Sequence, residues 1–270
     1  MRRPGFRESP TSGDGLDNWA RILLATTFNL LFEYSLRGFN DLAFRPFLPI
    51  FLFLVYFPYF TLLECCIEKY HLRDWQVLIA GFIFGSFAAF FIPGAMFTGN
   101  LTLGLNWASF FFIAVIWWGN LQAVLTFYFA RMVVSKRRYQ IFITKGGILI
   151  LLLLLAAMLC VFRIAIKNAP PISPLAALLI LCLAFAATVL LYKTRDWNEP
   201  NGAGRNIVID TVVLITICLF TISALFFRDK GELEIHMVNL TAVKIVVPWS
   251  IIAFCITWGY RVIAKKEIPV

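Results

Sequence analysis

Apolar runs long enough to cross a bilayer recur along this chain, with only short polar breaks between them. About 20 predominantly apolar residues span the hydrocarbon core as a helix. Seven runs are near or above that length: Pro46–Leu63, Trp75–Thr98, Leu105–Ala130, Gly146–Phe162, Pro174–Tyr192, Ile207–Phe227 and Ile245–Tyr260. An eighth, Ile22–Leu36, is shorter and carries Asn29 and Glu33. None shows the alternation of polar and apolar positions that marks an outer-membrane barrel. The pattern predicts an all-α, polytopic integral membrane helix bundle of about eight transmembrane helices. Residues 1–20 read as a disordered polar tail, 21–263 as the transmembrane helical domain and 264–270 as a second tail.

Composition agrees. Hydrophobic residues make up 60% of the 270 and charged residues 14%, where a soluble domain carries about 25% charged residues. Charge placement then orients the spans. With the N-terminus inside, the inner segments hold Arg2, Arg3, Arg7, Arg21, Lys69, Arg73, Arg131, Lys136, Arg137, Arg138 and Lys145, then Lys193, Arg195, Arg205, Arg261, Lys265 and Lys266. Only Arg37, Arg45, Arg163, Lys167, Arg228 and Lys230 fall outside. Such a bias is the positive-inside signature. It makes Ile22–Leu36 a span, both termini cytoplasmic, and the plasma (inner) membrane the expected location. The net charge of +9 is thereby assigned to anionic lipids at the cytoplasmic face, and no nucleic-acid partner is expected.

Within the second predicted span run, Gly81, Gly85 and Ala89 form a stripe of small residues four apart, a surface for close approach of another helix. Pro93-Gly94 should bend or break that helix near its outer end. The six cysteines all fall in or beside spans, where they act as small apolar residues. Two Asn-Leu-Thr sequons, at Asn100 and Asn239, sit too close to the membrane to count as more than chance matches.

Ionisable and amide groups in spans are costly and therefore candidates for function. Asp210 and Lys244 lie at helix ends, where the dipole and snorkelling accommodate them. Glu33 precedes Arg37 by one turn, the favoured order for a helical ion pair. Glu64, Glu68 and His71 follow at helical spacing near the cytoplasmic face. They are the catalytic candidates for an enzyme acting on a lipid-linked substrate, against a solvated helix end neutralised by Lys69 and Arg73. Asn120 and Gln122, the deepest polar residues, are candidates with Glu33 for substrate binding; the competing reading is interhelical glue.

The chain has no zinc-protease, nucleophile-elbow or phosphate-loop motif. Its two histidines, His71 and His236, fall on opposite sides of the membrane, so no metal or cofactor is expected. Three function classes remain: a transporter or permease for a small solute or lipid-like molecule, which leads; an assembly or scaffold subunit without catalysis; and the membrane-embedded enzyme. An enzyme is the less favoured expectation.

Overall fold

The computed structural model describes residues 12–37, 45–70, 72–88, 90–91, 94–134, 143–165 and 170–194, with isolated positions between 208 and 256. Among them are six helices, and the only strand-like pairing is a bridge between Thr102 and Leu105. The helices are α1 (Ser12–Arg37), α2 (Leu48–Tyr70), α3 (Asp74–Ala88), α4 (beginning at Trp107 and ending at Val133), α5 (Lys145–Ala165) and α6 (Pro174–Thr194). Four of them, α2, α4, α5 and α6, are long and apolar enough to cross a membrane. The chain is therefore an all-helical integral membrane protein.

The count of eight spans is not supported by the described residues. The runs at 207–227 and 245–260 lie outside them apart from isolated positions. The span expected at 75–98 is a helix of 15 residues that ends at Ala88, about 22 Å long and short of the ~30 Å core. Apolar residues continue past Ala88, but helical bonding does not: Phe90 and Phe91 donate to Phe87 and Ala88, three residues back, and Gly94–Phe97 forms a separate 3-10 turn. The helix therefore ends earlier than the sequence alone suggests.

α1 departs from expectation at its start. It begins at Ser12, within the stretch expected to be a disordered tail, and so carries Asn18 and Arg21 as helical residues. Its composition does not place it among the four membrane-length apolar helices.

Helices that pack together run antiparallel. Arg21 meets Glu64 while Glu33 meets Tyr56, so α1 ascends as α2 descends. Phe51 packs edge-on against Phe162 at 4.5 Å, joining the start of α2 to the end of α5. Gln76 at the start of α3 donates to the Thr194 carbonyl, which ends α6, at 2.6 Å. This up-and-down arrangement is what successive crossings of one bilayer require.

α4 is the central helix, buried along almost its whole length. Asn106 caps it, its Oδ1 accepting from the Ser109 amide at 3.2 Å while its Nδ2 donates to the Thr98 carbonyl. Gly81 and Gly85 of α3 lie directly against it. A Cβ on Gly81 would stand 2.5 Å from the Trp118 carbonyl oxygen, and one on Gly85 2.6 Å from Trp118 Cβ. Gly119 reciprocates, facing the Leu78 carbonyl. The small-residue surface read from the sequence is thus filled from within the chain; Ala89 lies outside the described residues.

α5 and α6 flank this core and present Leu149, Ile150, Leu153, Ile164, Leu178 and Phe185 outward. Each such side chain left in water forfeits about 1.5–3 kcal/mol relative to burial, so hydrocarbon is their natural surrounding.

Candidate functional site

α1 is turned inside out relative to a helix of a soluble protein. Trp19, Leu23 and Leu31 are exposed, four or eight residues apart on one face. The opposite face buries Asn18, Arg21, Thr26, Asn29 and Glu33 beside Ile22, Ala25 and Phe32. In hydrocarbon the apolar face turns to lipid and polar groups must find partners inside. α1 packs on α2 and on the Thr126–Val133 stretch of α4, and its cross-helix polar bonds run to Glu64, Glu68 and Tyr56 of α2.

The strongest polar contact joins α1 to the C-terminal half of α2. Arg21 Nη2 and Nε donate to Glu64 Oε1 at 2.9 and 3.2 Å, and Nη2 lies 3.6 Å from Glu68 Oε1. The same Nη2 donates to Asn18 Oδ1, one turn earlier on α1. Arg21 and Glu64 are both fully buried, at 0% exposure, which decides what the contact is worth. Removing one member of a buried ion pair costs about 3–5 kcal/mol, far more than an exposed pair contributes. The expectation that Lys69 and Arg73 neutralise a solvated helix end is therefore corrected. The carboxylates are buried, and the cation comes from another helix. Sequence reading missed Arg21 because it stood just before the run Ile22–Leu36 and was weighed only as an inner-face charge; its helical spacing from Asn18 was the available signal.

Glu33 accepts a hydrogen bond from the Tyr56 hydroxyl at 3.0 Å. The side chain of Arg37, its expected partner, lies outside the described residues. Tyr56 in turn packs on Trp118 of α4 at 5.8 Å, where Tyr59 meets the same indole edge-on at 5.2 Å and Phe84 of α3 at 4.7 Å. Aromatic rings thus fill the space between α2, α3 and α4.

Hydroxyls on the buried faces are consumed locally. Thr26 donates to the Ile22 carbonyl, Thr61 to Phe57 and Ser86 to Phe82, each four residues back. None of these bonds crosses between helices. Phe112–Leu125 of α4 winds as a π-helix, and both the amide and the hydroxyl of Thr126 donate to the Leu121 carbonyl five residues back. π-helical winding inside α-helices is frequent at functional sites.

Asn120 and Gln122 lie in that stretch, and both are buried. Neither amide atom of Gln122 makes a hydrogen bond among the described residues, and the same holds for Asn29 of α1. Among the described residues Gln122 therefore makes no hydrogen bond between helices. A buried amide left unsatisfied costs about 1–3 kcal/mol, so these two positions retain hydrogen-bonding capacity that the described residues do not use.

Of the six residues singled out from the sequence, Glu64 and Glu68 are brought together by Arg21. Glu33 sits about two turns beyond the middle of the same α1 face, and Asn120 and Gln122 belong to α4. His71 lies outside the described residues, as do Asp210 and Lys244. Among the described residues no group of three His, Cys, Asp or Glu side chains is placed to hold a metal. Comparison with family models, curated proteins and solved structures finds no match to this chain.

Proposed function

We propose that this protein is a transporter or permease-like membrane protein that passes a small polar solute through the interior bounded by α1, α2 and α4. One observation carries the reading: Asn29 and Gln122 are fully buried amides with no hydrogen bond among the described residues. A fold that only needed to hold helices together gains nothing from two such groups, because an apolar side chain of similar size removes the penalty. A solute that offers donors and acceptors satisfies them in passing. Their chemistry favours a polar solute over a lipid-like one.

The enzyme reading loses support because Glu64 and Glu68 face Arg21 rather than an open cleft. In the full architecture we place α1 as a span lying antiparallel to α2, with the runs at 207–227 and 245–260 as further spans and both termini cytoplasmic. The helix ends carrying Arg21, Lys69, Arg73, Lys145 and Lys193 then face the cytoplasm and its anionic lipids, in the plasma (inner) membrane.

Uptake of a panel of small radiolabelled solutes into vesicles containing the purified full chain tests this function. The expected result is flux that Asn29→Leu and Gln122→Leu abolish while thermal stability holds or rises. Unchanged flux in both variants, or no flux of any solute in the parent, would favour the scaffold reading.

A further inference from the structure

The polar contacts between α1 and α2 fall at two separated levels. Arg21 meets Glu64 and Glu68 at one and Glu33 meets Tyr56 at the other; Glu33 is twelve positions from Arg21, and Glu64 and Glu68 are eight and twelve positions from Tyr56. Twelve residues of helix rise about 18 Å, so a single register satisfies both. Asn29 lies between them on the buried face of α1, fully enclosed, its amide nitrogen and oxygen both without a hydrogen bond among the described residues. Thr26, one turn away on that face, is satisfied by its own helix. The α1–α2 contact is thus held by polar bonds at two levels, and between those levels the buried face of α1 carries an unengaged amide.

We propose that the Arg21–Glu64–Glu68 cluster and the Glu33–Tyr56 bond are two gates, one toward each membrane face, that enclose a solute position at Asn29. This rests on the transport reading above and deepens it: the structure is the state closed at both ends. A carboxamide donates and accepts but carries no charge, and the charged groups of the interface are engaged in the gates. The solute class is therefore an uncharged polar molecule bearing hydroxyl or amide groups. The gates are unequal. A guanidinium shared among two carboxylates and Asn18 is charge-assisted throughout, whereas the other gate is one phenolic hydroxyl on one carboxylate. The Glu33–Tyr56 gate opens first.

Side-specific labelling tests the gates without knowledge of the solute. Asn29→Cys is placed in a full-length chain whose six native cysteines are replaced by alanine. A membrane-impermeant maleimide is applied to sealed right-side-out and inside-out vesicles. With both gates intact, labelling is slow from either face. Tyr56→Phe should raise the rate about tenfold from the extracytoplasmic face alone, and Glu64→Gln with Glu68→Gln should raise it from the cytoplasmic face alone. A rise from the wrong face, an equal rise from both, or no rise in either variant overturns the proposal. Size exclusion and thermal unfolding establish that each variant is folded. If the double carboxylate variant does not fold, Tyr56→Phe alone decides, since it removes only one hydroxyl. Face-selective labelling in a chain that transports no solute upholds the gates and overturns the transport reading, which keeps the two failures distinct.

Discussion

Arg21 Nη2 stands 2.9 Å from Glu64 Oε1, with both side chains excluded from solvent and the two residues on different helices. The pair binds α1, the least apolar of the described helices, to one of the four that are long and apolar enough to cross a membrane. An arginine at the centre of an isolated membrane helix costs about 2.5–3.5 kcal/mol, and α1 also carries Glu33. Pairing with α2 offsets that cost. Arg21→Ala should lower stability by about 3–5 kcal/mol, because two buried carboxylates lose their cation. Adding Glu64→Gln and Glu68→Gln to that variant should recover much of the loss, measured by thermal unfolding in detergent. Purely additive losses would mean that the three side chains do not act as one unit.

The α3–α4 crossing makes a second prediction. Gly81 faces the backbone of Trp118 and Gly119 rather than a flexible side-chain end, so a methyl group there cannot be accommodated by a rotamer change. Gly81→Ala should destabilise by about 1–3 kcal/mol through overpacking. Gly146, whose nearest neighbour to an added Cβ is 4.0 Å away in the first turn of α5, should tolerate alanine within about 0.5 kcal/mol. Chemical denaturation of the two variants side by side separates a packing effect from a general glycine effect.

Gln76 reads two backbones at once. Its Oε1 accepts from the Arg73 amide at 2.8 Å, and its Nε2 donates to the Thr194 carbonyl at 2.6 Å. Gln76→Glu keeps the acceptor but turns the donor into a negative oxygen facing a carbonyl. It should therefore cost more than Gln76→Ala, each loss being about 1–3 kcal/mol. Equal melting temperatures for the two variants would show that the bond to Thr194 contributes nothing.

Tyr56→Phe removes one hydroxyl from Glu33 and leaves the ring against Trp118. A hydrogen bond to a charged group contributes about 1.5–3 kcal/mol, and the loss should fall in that range. Combining it with Glu33→Leu, which removes the stranded acceptor, should restore part of the stability. A double-mutant cycle on thermal unfolding measures the coupling.

The four membrane-length helices were legible because span length is a property of a continuous run. Pro46–Leu63, Leu105–Ala130, Gly146–Phe162 and Pro174–Tyr192 each fall largely within an observed helix. The run at 75–98 misled for a related reason: hydropathy counts apolar side chains but not backbone bonds, and helical bonding stops at Ala88. The small-residue stripe at Gly81 and Gly85 was also legible, since absence of a Cβ is written in the residue itself. Its partner was not, because nothing in Trp118 or Gly119 marks them as the facing surface.

What the amino-acid sequence by itself determined is the solvent: so many apolar residues and so few charges call for a bilayer. Tertiary structure alone decided which polar groups meet. Glu64 has cations close by in sequence at Lys69 and Arg73, yet its partner is Arg21, 43 residues away. Composition counts charges, whereas pairing depends on which faces of two helices are pressed together. That choice follows from the packing of α1 between lipid and the α2–α4 core.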